Sequence, residues 1–171
     1  MRVGLGFDSH RFDPERSLVL GGVPIPDAPG LAGHSDGDAV VHAVIDALLG
    51  AAGLGSIGDA FPDDDPRWRD ADSIELLRRA VRRLEEENYQ VVNVDVTVVA
   101  ERPRVAPHVE PMRRRLADPL RVAASHVSVK GKSNEGMGWV GRGEGLAVMA
   151  VVLLDRMADL DTLHASMRSG G

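Results

Sequence analysis

The chain has 171 residues, with 26 acidic and 20 basic side chains and no cysteine, which gives a net charge of −6 at neutral pH. This length suits one compact domain, the acidic balance argues against broad nucleic-acid binding, and the lack of cysteine excludes disulfides and thiolate metal ligands. No apolar run approaches the ~20 residues of a membrane helix, and the N-terminus lacks a signal-peptide pattern, so a cytoplasmic protein is expected.

The order of apolar and polar residues predicts alternating strands and helices. In chain order these are a strand at 2–7, a hairpin at 18–25, a loop at 26–36, a helix at 36–52, a loop at 53–71, a helix at 73–88, a strand at 91–100, a helix from 107 to before 119, a strand at 126–132, a glycine-rich loop at 136–145 and a strand at 146–154. This alternation predicts one α/β domain over residues 1–155. Residues 156–171 are expected to form a C-terminal extension that is partly disordered.

The first predicted helix is apolar around most of its circumference and carries one narrow polar stripe. Asp36 or Ser35 is expected to cap this helix. Asp38, His42 and Asp46 recur every four residues, so they lie on one helical face. Because an unpaired charge on a buried helix is unfavourable, the stripe requires partners.

Asp8 and His10 lie two positions apart at the end of the first predicted strand, so both side chains point to the same side. With His42 they would supply two imidazoles and one carboxylate, the ligand set of a catalytic zinc site with an open fourth position. The same set serves non-haem iron, and both histidines are equally compatible with ordinary polar roles at element ends. Asp46, one turn beyond His42, is either an acceptor that orients the imidazole or a partner for a backbone amide or an arginine.

Two further segments carry candidate binding groups. Lys130–Glu135 ends a strand and continues into a glycine-rich stretch that contains Arg142. Its lysines, hydroxyl, carboxylate and backbone amides suit a diphosphate with a hard cation, although glycine-rich loops are more often plain turns and the Walker order is absent. Ala100–Ala106 has backbone groups that suit a base edge, but by composition alone it is a strand-to-helix connector.

Five motifs, which span the chain from residue 1 to about 155, resemble one known enzyme family. They are Gly6-Phe-Asp-Ser-His10, His34-Ser-Asp-Gly-Asp-Ala-Val-Val-His42-Ala-Val-Ile-Asp46-Ala-Leu-Leu-Gly50, Phe61-Pro62-Asp63, Asn93-Val-Asp-Val-Thr97 and Gly141-Arg-Gly-Glu-Gly145. This combination resembles 2-C-methyl-D-erythritol 2,4-cyclodiphosphate synthase. The resemblance implies a phosphorus–oxygen lyase of non-mevalonate isoprenoid synthesis, which converts 4-diphosphocytidyl-2-C-methyl-D-erythritol 2-phosphate to the 2,4-cyclodiphosphate and releases CMP.

The resemblance also implies an architecture, cofactors and partners. Each subunit would be a mixed β-sheet with helices packed on one face, and three identical subunits would form a homotrimer with active sites between them. The expected cofactors are zinc, or another divalent transition metal, and magnesium, or manganese. A central cavity lined by Phe7, Trp139 and Arg142 would admit an isoprenoid diphosphate. Neither a nucleic acid nor a membrane is expected as a partner.

The same resemblance assigns roles to individual residues. Asp8, His10 and His42 would bind zinc, and Glu135 would hold magnesium. The residues assigned to catalysis are His34, Asp38, Ser133 and Glu135. The residues assigned to substrate binding are Asp8, His10, His34, Ser35, Ser56, Gly58, Asp63, Ala100, Pro103, Arg104, Ala106, Gly131, Lys132, Ser133, Asn134, Trp139 and Arg142.

The chain departs from the family pattern at four positions. Ser56 stands where many relatives carry aspartate, Asn134 where they often carry threonine, and Trp139 where phenylalanine is frequent, while Ser133 also replaces a frequent threonine but keeps its hydroxyl. Two other activities remain open. One is a metal-dependent phosphoesterase that acts on a related nucleotide, and the other is a non-catalytic trimer that binds isoprenoid diphosphates through Arg142 and Glu144.

Overall fold

The computed structural model describes residues 1–33, 35–62, 64–68 and 71–157 of the chain. Five strands form one mixed sheet in the order β2-β1-β5-β3-β4, in which β3 and β4 are parallel and the other neighbours are antiparallel. The strands are β1 (Arg2–Leu20), β2 (Val23–Leu31), β3 (Tyr89–Val99), β4 (Val127–Lys132) and β5 (Gly145–Arg156), and the helices are α1 (Ala39–Ala52), α2 (Ile57–Ala60), α3 (Ser73–Glu86), α4 (Val109–Leu120) and α5 (Gly138–Gly141). The predicted single α/β domain with a mixed sheet is confirmed. No helix within these described ranges is long and apolar enough to cross a membrane.

Helix α1 packs against β1 and β5, and its approach to β1 is unusually close. Glycine makes this approach possible, because a Cβ atom on Gly4 would lie 2.0 Å from the carbonyl oxygen of Ala47 and one on Gly6 would lie 1.9 Å from that of Ala43. Alternate residues of a strand share one face, so the residues that follow these glycines at every second position of β1 also point toward α1. The close contact therefore sets the distance between this row of side chains and the helix.

Asp38 fastens the start of α1 to the turn between β1 and β2. Its buried carboxylate accepts hydrogen bonds from the backbone N–H groups of Gly21 (2.8 Å), Gly22 (2.6 Å), Val40 (3.1 Å) and Val41 (3.1 Å). Burial raises the pKa of Asp38 to about 6, although these amides lower it. One side chain thus caps the helix and joins it to the hairpin turn.

The first half of the chain contains more strand than its sequence predicts, and its first helix is shorter. Strand β1 continues through the predicted loop at Asp8–His10 to Leu20, and β2 continues through 26–31, which the sequence predicts as loop. The two strands tolerate the intervening polar and proline residues because their pairing shifts register between Asp13 and Leu18. Helix α1 begins at Ala39 rather than at residue 36, since Asp38 replaces Asp36 or Ser35 as the N-cap.

Three features later in the chain also differ from the prediction. The loop at 53–71 contains α2 and a short 3-10 turn at Pro66–Trp68. Helix α4 includes Pro119 and ends at Leu120, whereas the sequence predicts that it ends before that proline. Val92 is exposed rather than aligned with the other valines of β3, since a register shift between Val91 and Asn93 interrupts the alternation.

The two faces of the sheet differ in their surroundings. On the face away from α1, Val3, Leu5 and Phe7 of β1 are 69%, 66% and 57% exposed, and Met149 and Val151 of β5 are also exposed. Strand β5 lies in the centre of the sheet, as its apolar sequence predicts. A single chain therefore presents a contiguous apolar surface on one side of its sheet, which is typical of an interaction face.

Candidate active site

Strand β1 and helix α1 bring the three predicted metal ligands together. Asp8 and His10 extend the row of inward-facing residues on β1, and His42 lies on α1 next to the closest helix–strand contact. Oδ2 of Asp8 lies 2.9 Å from Nε2 of His10 and 3.2 Å from Nδ1 of His42. One ligand atom from each residue lies within 4.8 Å of the others, and no second group of this kind occurs among the residues that the structure describes.

The hydrogen bonds behind His10 indicate how this cluster fits a cation. Nδ1 of His10 lies 2.5 Å from the carbonyl oxygen of Ala32. Because a carbonyl oxygen only accepts, Nδ1 carries the proton and Nε2 directs its lone pair toward the carboxylate of Asp8. Two acceptors in contact require a positive charge between them, which is supplied by a proton or by a metal ion. The donor set therefore suits a divalent metal.

The electrostatics of the cluster favour an ionised carboxylate. Burial raises the pKa of Asp8, but hydrogen bonds from His10 and His42 outweigh this effect and hold that pKa well below its ordinary value. The hydrogen bond to Asp8 raises the pKa of His10 above its ordinary value, although burial opposes the change. The cluster thus attracts positive charge, and a metal ion would compete with protons for the same position.

The metal cluster opens into a cleft of about 220 Å³. The residues that line it are Asp8, His10, Gly33, Ser35, His42, Ile57, Gly58, Phe61, Trp68 and Leu76. Phe61 and Trp68 contact each other edge to face, with 5.2 Å between the ring centroids, and form an apolar wall. Ser35 and Gly58, both predicted to bind substrate, lie in this cleft, whereas His34 and Asp63 lie outside the described residues.

Three polar residues near the cleft form hydrogen bonds with the backbone or with a neighbouring side chain. Asp38 does not line the cleft: its carboxylate is buried and accepts hydrogen bonds from backbone amides, which is a structural role, and its catalytic role stays a prediction. Asp46 accepts a hydrogen bond from the N–H of Ile57 at 3.2 Å, which confirms the interpretation as a backbone partner. Ser56 caps α2, and its hydroxyl donates to Asp59 at 2.7 Å.

A second cavity, of about 310 Å³, lies between the loop after β3 and the end of β4. It is lined by Ala100, Glu101, Pro103, Arg104, Val105, Ala106, Gly131, Lys132 and Ser133. Seven of these residues are predicted substrate ligands, and they meet because β3 and β4 are parallel, so their carboxyl ends lie side by side. The sequence does not single out Glu101 or Val105, which share this groove.

Glu101 holds the turn that follows β4. Its Oε1 atom accepts the backbone N–H of Asn134 at 2.9 Å and that of Gly136 at 3.0 Å. Glu135, between them, has a φ of 50°, a left-handed conformation that is uncommon for a residue other than glycine. The hydroxyl of Ser133 donates to the carboxylate of Glu135 at 2.5 Å, so the turn presents these two groups as a pair.

The metal cluster and this groove are separate cavities of one chain. Strand pairing places Ser9, Ala147, Val99 and Lys132 in one row across β1, β5, β3 and β4. Three interstrand spacings put the two outer strands of this row roughly 14 Å apart. The structure accordingly brings the zinc ligands together and the groove residues together, but it does not join the two groups in one cavity.

A third cavity, of about 720 Å³, contains Arg142. Its lining residues are Phe12, Asp27, Ala28, Pro29, Glu101, Arg102, Pro103, Arg104, Gly141, Arg142 and Gly143. Nε of Arg142 donates to Glu144 at 2.6 Å. Phe7 and Trp139, which are predicted to share a central cavity with Arg142, are exposed and do not line this one.

Comparison with known proteins identifies the family. The family model described as the YgbB family matches residues 1–155. A relative from Rubrobacter xylanophilus, named 2-C-methyl-D-erythritol 2,4-cyclodiphosphate synthase, is 60% identical over 158 residues, which cover 91% of this chain and 95% of the relative. The chain belongs to the 2-C-methyl-D-erythritol 2,4-cyclodiphosphate synthase family. The resemblance seen in the sequence motifs is thereby confirmed.

Other members of the family give the same result. A relative of the same name from Symbiobacterium thermophilum is 56% identical over 154 residues, which cover 90% of this chain and 98% of the relative. The structure of a 2-C-methyl-D-erythritol 2,4-cyclodiphosphate synthase in a CDP-bound form superposes with a TM-score of 0.83 at 40% identity, over 90% of this chain and 100% of that chain. The matched region therefore shares both the family's sequence and its fold.

Proposed function

We propose that this chain converts 4-diphosphocytidyl-2-C-methyl-D-erythritol 2-phosphate to 2-C-methyl-D-erythritol 2,4-cyclodiphosphate and releases CMP. Its membership of the synthase family supports this activity. The observation that carries the proposal is the cluster of Asp8, His10 and His42 at the base of an open cleft. The CDP-bound relative supports a cytidine diphosphate ligand for this chain, and we assign this ligand to the groove beside β4.

Two groups of side chains would hold the cations. Asp8, His10 and His42 suit zinc or another divalent transition metal, because imidazole and carboxylate are preferred ligands of such ions. Glu135, with the hydroxyl of Ser133 beside it, suits magnesium or manganese. Bound cations would neutralise the diphosphate and so reduce its repulsion of the attacking phosphate.

The chain's own residues would bind and orient the two ends of the substrate. Arg104 and Lys132 provide cationic donors for phosphates, and the backbone beside Pro103 provides groups for the base. At the other end, Ser35 and Gly58 would contact the sugar phosphate. Because the 2-phosphate and the diphosphate belong to one ligand, their reaction is intramolecular and needs no protein nucleophile.

We also propose a homotrimer whose active sites lie between subunits. Two observations support it: the metal cluster and the groove are separate in one chain, and one face of the sheet exposes Leu5 and other apolar residues. In such a trimer, Phe7, Trp139 and Arg142 would surround a cavity suited to an isoprenoid diphosphate. Substrate contacts by His34, Asp63 and Asn134, and a cytoplasmic location, remain predictions.

Incubation of the purified protein with the cytidine diphosphate substrate, zinc and magnesium tests the activity. CMP and the cyclic diphosphate should appear in equal amounts by chromatography. His42→Ala removes one metal ligand, so it should abolish both products while the protein stays folded. A wild-type protein that binds metal but forms no CMP would contradict the proposed function.

A further inference from the structure

Ser73 contacts the metal cluster at Nε2 of His42, the ring nitrogen that does not face Asp8. Its side chain is completely buried, and its Oγ atom lies 2.9 Å from Nε2 of His42. Ser73 is the first residue of α3, so this contact joins α3 to α1 directly behind a predicted metal ligand. A buried hydroxyl in this position needs a defined hydrogen-bond direction.

Asp36 determines the direction of the Ser73 hydroxyl. One oxygen of its carboxylate lies 2.5 Å from Oγ of Ser73, and the other accepts the backbone N–H of Ser73 at 3.0 Å. Because an ionised carboxylate only accepts, the hydroxyl proton points to Asp36 and an oxygen lone pair points to His42. The N–H of Asp38 donates to the same carboxylate at 3.1 Å, which further fixes its orientation.

This direction selects one tautomer of His42. A lone pair on Ser73 requires a ring proton on Nε2, which leaves Nδ1 as the nitrogen that can direct a lone pair to a metal ion beside Asp8. Ser35 lies 3.0 Å from the same Nε2 atom and could donate to it in the opposite tautomer. That alternative is disfavoured, because it would set the lone pairs of Nε2 and of Ser73 against each other.

We infer that Asp36 and Ser73 are positioning residues that hold His42 in the tautomer able to bind a divalent metal through Nδ1. The inference rests on the proposed metal centre and extends it to a chain of hydrogen bonds from His42 through Ser73 to Asp36. Both partners lie outside the ligand set predicted from the motifs. Contacts of this kind behind a ligating histidine typically change metal affinity by about 10–100-fold.

Two substitutions test the chain of hydrogen bonds. Ser73→Ala removes the hydroxyl, and Asp36→Asn replaces one of two acceptor oxygens with an amide donor, which weakens the constraint that points the hydroxyl proton away from His42. Competition between the protein and a chromophoric chelator for zinc should give affinities about 10–100-fold weaker for both variants. Nitrogen NMR of ring-labelled, zinc-loaded protein should show the His42 proton on Nε2 in the wild type, and this proton should exchange faster with water in Ser73→Ala, which lacks one of its acceptors.

Asp72→Ala is the matched control. Asp72 caps α3 next to Ser73 by accepting the N–H of Ile74 at 2.8 Å, so its loss weakens the same helix end without removing the hydroxyl. Zinc affinity should stay at the wild-type value in this variant. Equal zinc affinity in Ser73→Ala and the wild type, or an equal loss in Asp72→Ala, would overturn the inference. A wild-type protein that binds no zinc would refute the proposed metal centre itself.

Discussion

The metal cluster and the groove beside β4 are built in different ways. Asp8, His10 and His42 project from the interior of a strand and a helix, and at most 23% of any of these side chains is exposed. Lys132 and Ser133 lie at the exposed end of β4, and the turn after them is tied to the neighbouring loop by Glu101. The groups that need fixed mutual distances are thus set by the packed core, whereas those that would hold a ligand lie on adaptable surface segments.

This difference predicts two classes of variant. Changes at the close contact between α1 and β1, which positions the metal cluster, alter the stability of the whole chain. Changes in the groove alter ligand affinity alone. The following predictions test that division, beginning with the largest expected effect.

Gly6→Ala should prevent the chain from folding stably. The added Cβ atom would lie 1.9 Å from the carbonyl oxygen of Ala43, so α1 must move away from β1. We expect a loss of about 4 kcal/mol or more in the free energy of unfolding, measured with denaturant, because the clash is with backbone rather than with a flexible side chain. Gly50→Ala, where a Cβ atom meets nothing within 4 Å, should instead stabilise the protein slightly. A Gly6→Ala protein as stable as the wild type would contradict the account of the close contact.

Leu5→Glu should dissociate the proposed trimer. The metal cluster of one subunit would then be separated from the groove of its neighbour, and neither would be damaged. Leu5 is exposed on the apolar sheet face, so a charge there opposes association but leaves the core of the chain intact. Light scattering should show monomers, zinc affinity should be retained, and CMP release should fall about 100-fold or more because each site lacks its second half. Leu5→Val is the conservative control. A monomeric Leu5→Glu protein with full activity would show that one chain forms the complete site.

Asp38→Ala should destabilise the fold by about 2–4 kcal/mol, because it removes a helix cap and leaves buried backbone N–H groups without an acceptor. Urea unfolding measures the loss. In the remaining folded protein, the turnover number should change little. An unchanged stability with a lost turnover number would instead support the catalytic role that the resemblance assigns to Asp38.

Lys132→Ala should weaken CDP binding by about 10-fold, since it removes one charge-assisted contact to a phosphate. Calorimetry with CDP gives the affinity, and the free energy of unfolding and the zinc affinity serve as internal controls that should not change. A comparable loss of stability would mean that the groove is part of the packed core, contrary to the division proposed above.

The sequence predicts much of the fold and most of the members of each candidate site. Period-two and helical patterns place most of the helices and strands, and the Asp-x-His pair with His42 predicts the metal cluster. The parallel ends of β3 and β4 explain why the predicted groove residues meet. Local periodicity and a motif of fixed spacing predict the elements and the metal cluster, whereas the resemblance to the family assigns the residues of the groove.

The errors arise where distant residues decide the outcome. The sequence places Asp38 on a polar stripe that faces a site, but only the tertiary structure brings the turn at Gly21-Gly22 to its carboxylate. Ser73 lies 31 residues from His42, and nothing in its local sequence indicates that contact. The glycines at positions 4 and 6 are a signal that could have been used, because small residues recurring on one face of a strand predict a closely packed helix.

The central claim is that the chain joins two phosphates of one substrate instead of hydrolysing a diphosphate. Phosphorus NMR and mass spectrometry of the reaction in water enriched with oxygen-18 test it most directly. We predict a cyclic diphosphate and CMP in equal amounts, with no oxygen-18 in either product, because no water takes part. A linear phosphate product that carries oxygen-18 would contradict the claim and identify the protein as a metal-dependent phosphoesterase.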